Sequence, residues 1–148
     1  MDACSPDRTN LGSGTPPDRR HRIRATRRAA VLREIEDRSA DLGFSATTVA
    51  IRLGITPRYV HLLLKGTGRT FSYHVLETRL QRALILLRDP HWLQRRIGDV
   101  AAESGFSDLS HFSRSFRRRF GMTPTQARGD ADGSGRYAAV PSETGSSR

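Results

Sequence analysis

The chain has little of what marks a secreted, membrane-spanning or metal-binding protein. Its 148 residues include a single cysteine, Cys4. That excludes an intramolecular disulfide and any cysteine-rich zinc site, and it suits a reducing cytoplasm. No apolar run approaches the roughly 18 residues that a spanning helix needs. The longest, Val75 to Leu87, is interrupted by Glu77, Arg79 and Arg82. The N-terminus lacks the apolar core of a signal peptide. Strand-like alternation is nearly missing. Lysine is almost missing too: of 25 basic residues only Lys65 is lysine, leaving 25 − 1 = 24 arginines. Against 15 acids the formal charge is +10. Such an excess points to a polyanion, nucleic acid ahead of an anionic membrane surface.

Polar tails flank a folded unit. Residues 1–24 read as a basic, disordered N-terminal arm, rich in Asp, Ser, Gly, Pro and Arg and without periodicity. Arg19, Arg20, Arg22, Arg24, Arg27 and Arg28 follow one another with no acid among them. Residues 129–148 are rich in Gly, Ser and Ala and read as a second disordered tail. Between them, residues 25–128 carry helical signals. Val31, Leu32 and Ile35 share one face of a helix over 25–40. Ser45 caps a helix over 46–53 that Gly54 ends. Thr56-Pro57 is a hydroxyl cap followed by proline at the first helical position, and starts a helix over 57–65. A longer helix spans 72–87 and stops at Asp89-Pro90. Further helices cover 97–104, then 108–120 behind a Ser107 cap, then 124–128. The expected architecture is all-α, with about seven helices.

One pattern occurs twice. Thr48-Val49-Ala50 and Gly54-Ile55-Thr56 match Asp99-Val100-Ala101 and Gly105-Phe106-Ser107 at an offset of 51. After the cap the offset becomes 52, pairing Val60 with Phe112 and Leu64 with Phe116. Each unit reads as short helix, glycine, apolar plug, hydroxyl cap, second helix, which is the helix-turn-helix arrangement. Small Ala50 and Ala101 let the two helices approach. Gly54 and Gly105 fall where the turn needs positive φ. The start of each second helix is the end that enters a major groove.

These residues resemble the DNA-binding domain of the AraC/XylS family of bacterial transcription regulators. The likeness covers residues 35–128 and is most specific from Ile97 through Gly105-Phe106-Ser107 to Phe120-Gly121-Met122-Thr123-Pro124. Arg79-Leu80 with Ala83 and Leu86-Leu87 looks like the family's linker helix, and Thr67-Gly68 with Phe71 like the loop before it. The resemblance implies two helix-turn-helix subdomains, residues 46–65 and 97–120, joined by a long linker helix over 72–87. Their recognition helices would enter successive major-groove segments about 34 Å apart, one duplex turn. A 16-residue linker covers about 24 Å, and the width of the flanking helices supplies the remainder. The chain departs from the family pattern in four places. Lys65-Gly66-Thr67-Gly68 is one residue short. Leu62 stands where the second unit has Arg114. Ala127 replaces an aromatic, which predicts a looser last helix. No sensor domain is expected ahead of the first helix.

In the first recognition helix Arg58 and His61 are candidates for base contact, and Thr56, Tyr59 and Lys65 for the DNA backbone. A bidentate arginine on guanine is worth about 1–3 kcal/mol of discrimination. In the second, Ser110, His111 and Arg114 are the base candidates, and Ser107, Ser113, Arg117 and Arg118 the backbone candidates, with Arg119 beside them. Backbone contacts position without reading sequence. The competing reading of these arginines is a solvated basic face. Asp108 reads as a cap partner, since its charge repels phosphate. The Arg19–Arg28 run either reaches into a minor groove, follows the backbone, or forms no defined site. Neutralising about six phosphates gives a log–log salt slope near −5.

No catalytic constellation emerges. His21, His61, His74, His91 and His111 lack metal-ligand spacing, and no cofactor is expected. Double-stranded DNA is the expected partner, with RNA polymerase as a second, in the bacterial cytoplasm at the nucleoid; a membrane is not. The leading reading is a sequence-specific transcription regulator. The alternatives are a non-specific nucleic-acid binder or adaptor and, furthest, a small recombinase.

Overall fold

In a computed structural model, residues 18–131 are described. Most of the expected N-terminal arm and C-terminal tail lie outside them. Seven α-helices and no strand occur among the described residues. α1 spans Arg19–Arg38, α2 Ala46–Leu53, α3 Pro57–Lys65, α4 Phe71–Arg88, α5 Ile97–Glu103, α6 Leu109–Phe120 and α7 Pro124–Ala131. One 3-10 turn, Pro90–Trp92, separates α4 from α5.

α1 corrects the sequence reading. Residues 19–24 are helical rather than part of a disordered arm. No glycine or proline lies between Pro17 and Gly43, and arginine is a good helix former, so the helix continues through the basic run. At its other end α1 stops at Arg38, and the buried Ser39 donates its N–H to Ile35 O at 3.0 Å.

The caps follow from short polar side chains. Ser45 and Thr48 exchange bonds across the start of α2: Thr48 N–H donates to Ser45 Oγ at 3.2 Å, and Ser45 N–H to Thr48 Oγ1 at 3.0 Å. Thr56 Oγ1 accepts from Tyr59 N–H at 3.2 Å, with Pro57 at the first helical position. Thr70 Oγ1 accepts from Tyr73 N–H at 3.2 Å, so α4 starts one residue earlier than expected. At α6 the cap is Asp108, not Ser107: the carboxylate accepts from His111 N–H at 2.6 Å. The offset between the repeats therefore changes at Ser107, one residue earlier than the sequence suggests. Thr56 pairs with Asp108, since 108 − 56 = 52, and Ser107 is absorbed into the turn.

Two apolar cores form. Val31, Ile35, Val49, Ala50, Val60, Leu63, Leu64, Phe71 and Val75 make the first. Leu80, Ala83, Leu87, Val100, Ala101, Phe106, Phe112, Phe116 and Ala127 make the second, with Trp92 packed against it. α4 serves both, with Phe71 and Val75 in one and Leu80, Ala83 and Leu87 in the other. Each large side chain enclosed this way is worth about 1.5–3 kcal/mol. The fold is thus all-α, two helix-turn-helix subdomains on one linker helix. That linker has 18 residues and spans about 27 Å. Ala127 corrects another expectation. It is fully buried and α7 packs directly on α4, because a methyl group lets the two backbones come close where an aromatic would hold them apart.

The repeat is realised in the turns. Ile55 N–H donates to Ala50 O at 3.0 Å, and Phe106 N–H to Ala101 O at 2.9 Å. Gly54 and Gly105 have φ of 62° and 89°, the left-handed conformation that lets the chain leave a helix this way. The two glycines differ in their surroundings. A Cβ on Gly54 would meet open space, whereas one on Gly105 would lie 2.7 Å from Ala40 Cα and 2.9 Å from Arg79 Nε. Arg79 Nε donates to Ser39 O at 2.7 Å. So the end of α1, the middle of α4 and the second turn meet at one point and fix one subdomain against the other.

Candidate nucleic-acid interface

α3 and α6 are the second helices of the two turns, and neither contains an acid. With the caps aligned, Arg58 corresponds to Ser110, Tyr59 to His111, His61 to Ser113, Leu62 to Arg114 and Lys65 to Arg117. Thr56, Arg58, His61, Leu62 and Lys65 are exposed on the first unit, and Ser107, Ser110, His111, Arg114, Arg117 and Arg118 on the second. Tyr59 and Ser113 are half-buried. Opposite these faces, Val60, Leu63 and Leu64 anchor α3, and Phe112, Ser115 and Phe116 anchor α6. The register explains two differences among the candidates. Tyr59 and His111 lie on the flank: Tyr59 carries the Arg27 guanidinium 5.6 Å from its ring centroid, and His111 packs on Phe106 at 5.9 Å. His61 stands edge-on to Phe71 at 6.1 Å.

Ion pairing separates structural arginines from free ones. Arg52 pairs with Glu34 at 2.8 Å, tying α2 to α1. Arg82 pairs with Glu103 at 3.0 Å, tying α4 to α5. Arg119, grouped with Arg117 and Arg118 in the basic run, is instead held by Glu77 of α4 at 2.7 Å. That bond holds the Glu77 carboxyl below its ordinary pKa, with Gln81 adding to it against the opposing effect of burial. It raises Arg119 in turn. Among the described residues, Arg58, Lys65, Arg114, Arg117 and Arg118 enter no ion pair. Of the lysine and arginines on the two second helices, only Arg119 is thus drawn to a carboxylate, and further arginines outside any ion pair, Arg24, Arg27 and Arg28 among them, lie on α1 beside α3.

Sequence reasoning missed Arg79 as a tie between subdomains. Its burial lowers its pKa, and the one signal for it was a charge set in the apolar stripe of α4 between Leu76 and Leu80. It also missed α1 as a neighbour of α3. Arg24 Nη2 lies 3.5 Å from Leu62 O, and Arg28 Nη1 would lie 2.9 Å from a Cβ on Gly66. No helix of the described residues is long and apolar enough to cross a membrane.

A helix-turn-helix domain family matches residues 49–130, more than half of the chain. A solved transcriptional regulator from Chromobacterium violaceum, of the AraC-type DNA-binding-domain-containing proteins, superimposes with a TM-score of 0.64. It is 27% identical, and the match covers 72% of this chain and 94% of that one. The chain belongs to the AraC-type helix-turn-helix family. A DNA-binding transcriptional dual regulator from Escherichia coli K-12 is similar at a TM-score of 0.62 and 28% identity, over 70% of this chain and 95% of that one. Among curated proteins, the transcriptional activator RhrA of Rhizobium meliloti is 35% identical over 121 residues, 80% of this chain and 36% of that protein. The transcriptional activator NphR of a Rhodococcus species is 34% identical over 96 residues, 64% of this chain and 27% of that protein. This AraC-type chain thus spans between a quarter and two fifths of the length of these two relatives.

Proposed function

We propose that this AraC-type domain binds double-stranded DNA sequence-specifically and regulates transcription, inserting α3 and α6 into successive major-groove segments. One observation carries the reading. Two turns bridged by the same backbone hydrogen bond and closed by the same left-handed glycine are joined by α4 and tied together by the Arg79–Ser39 bond. Each presents an acid-free helix, and among the described residues every lysine and arginine of the two except Arg119 is outside an ion pair. Rigid spacing matters because both helices must dock at once, and a loose tether would lose most of the second helix's contribution. Arg58, His61, Ser110 and Arg114 read base edges. Thr56, Tyr59, Lys65, Ser107, Ser113, Arg117 and Arg118 hold the backbone, and His111 reads bases only from the flank. Some relatives are activators by name, so RNA polymerase is the second partner we assign, with action at the bacterial nucleoid. Binding is the activity; no reaction is assigned.

Enrichment from a pool of random duplexes tests this. The expected product is a motif of two half-sites about ten base pairs apart. Flat enrichment with a steep salt dependence would replace it with non-specific binding.

A further inference from the structure

We propose that the cleft between α1 and the C-terminal end of α3 is a phosphate-binding site, seating the DNA backbone that flanks the segment under α3. The proposal rests on the DNA-binding reading above. The cleft has a volume of about 230 Å³ and is lined by His21, Arg24, Ala25, Arg28 and Gly66. Arg24 lies against the Leu62 carbonyl at 3.5 Å, and Arg28 crosses the end of α3 where Gly66 has no side chain to block it. Six arginines and His21 fall within residues 19–28, and after Asp18 the next acid on α1 is Glu34, which Arg52 already holds. The basic face is thus continuous with the recognition helix and has no carboxylate of its own to turn to. Guanidinium forks match phosphate oxygens two at a time. An anionic membrane fits less well, because α1 spends its apolar stripe, Val31 and Ile35, in the core and leaves Ile23 as its one exposed large apolar side chain, too little to bury among lipid chains. The site also sits beside Leu62, the position where α3 lacks the arginine that α6 has.

The test compares the unaltered chain with two variants, Arg24→Gln/Arg28→Gln and Gly66→Asp. The second keeps both arginines in the chain; Gly66 has φ of −67°, which any residue adopts, the tip of the Arg28 side chain swings aside for the added Cβ, and the new carboxylate would occupy the cleft. Thermal melts establish that both fold. Affinity for a duplex carrying the enriched site is measured against salt. It is measured again with the duplex shortened on the α3 side to end at the last base pair that α3 covers. Each lost phosphate contact should flatten the log–log slope by about 0.9. Shortening should cost the unaltered chain about tenfold, one charge-assisted contact's worth, and cost the variants nothing further. Base preference should not change. Equal slopes, or an equal penalty for shortening in all three proteins, would overturn the site. So would cleft-dependent binding to phosphatidylserine vesicles with no change on DNA. Should the pool yield no motif, the sequence-specific reading fails alone, because the slope comparison runs equally well on random duplex.

Discussion

A single added carbon at Gly105 should cost much more than the same carbon at Gly54. The two glycines close equivalent turns, with the same hydrogen bond bridging each. Both have positive φ, 62° at Gly54 and 89° at Gly105, so an alanine at either pays about 1–2 kcal/mol for a left-handed backbone. The gain from stiffening the unfolded chain, about 0.4–1 kcal/mol, is common to both and cancels in the comparison. What differs is the space. At Gly54 the methyl meets nothing within 4 Å, but at Gly105 it overlaps Ala40 Cα at 2.7 Å and crowds Ser39 O at 3.1 Å. Those are backbone atoms, so relief requires moving the end of α1 relative to the second turn, and such overpacking costs about 1–3 kcal/mol. Gly105→Ala is therefore expected to exceed Gly54→Ala by about that amount in urea unfolding at unchanged m-value. Because Arg79 and Ser39 meet at the same point, it should also weaken binding to a two-half-site duplex more than to a single half-site. Equal destabilisation by the two variants would refute the claim that the second turn is wedged against the first subdomain.

The cap assignment at α6 gives a second test: Asp108→Ala should cost about 1 kcal/mol and Ser107→Ala close to nothing, read by urea unfolding. Arg79→Met keeps the apolar stem but leaves the Ser39 carbonyl without its donor, and should cost about 1–3 kcal/mol in the same assay. The pH dependence has a defined sign at His74. Burial, with Arg69 nearby, lowers its pKa from the ordinary 6.5. As pH falls through 6.5 the unfolded chain takes up a proton that the folded chain refuses. Stability should therefore drop on the acid side, and His74→Gln should flatten that part of the pH–stability curve. In selected DNA, Arg114→Ala should relax preference at one base position while Arg118→Ala weakens all sequences alike; identical, sequence-blind losses would undo the assignment of Arg114 as a reader.

The helices and turns were legible because their signals are local. Thr56-Pro57, Gly54, Gly105 and Gly121 act on the residues beside them, and an apolar stripe of period 3.6 needs no partner to be seen. The α6 cap was misplaced because Ser107 and Asp108 are both good capping residues, and only the turn geometry chooses between them. The first turns of α1 are hidden in the sequence because residues 19–24 are nearly all polar, show no apolar periodicity and follow a stretch rich in Gly, Ser and Pro. Its neighbours on α3, the Tyr59 ring, the Leu62 carbonyl and the bare Gly66, lie more than thirty residues away in sequence and leave no trace near residue 24. Arg119 was grouped with its basic neighbours for the same reason, since Glu77 is 42 residues distant. In the candidate site, exposure could be read from helical periodicity, but which cations are already taken could not.

That division of cations makes the two readers unequal. α6 has Arg114 centred on its exposed face, with Ser110 one turn before it and Arg117 and Arg118 after it, while Glu77 draws Arg119 away to α4. α3 presents Leu62 at the position of Arg114, 45% exposed, an apolar tip suited to a thymine methyl rather than to a hydrogen-bonded base edge. Its remaining cations, Arg58 and Lys65, lie at either end of the helix, and α1 adds arginines beside Leu62. On the proposed function, sequence discrimination should concentrate in the half-site under α6, while salt-dependent affinity concentrates in the half-site under α3 and α1. A selected motif should then be strongly conserved in one half and degenerate in the other, with backbone protection extending further on the degenerate side. Two halves of equal information content would show instead that α3 reads bases through Arg58 and His61 as fully as α6 does, and the inequality inferred from Leu62 would not hold.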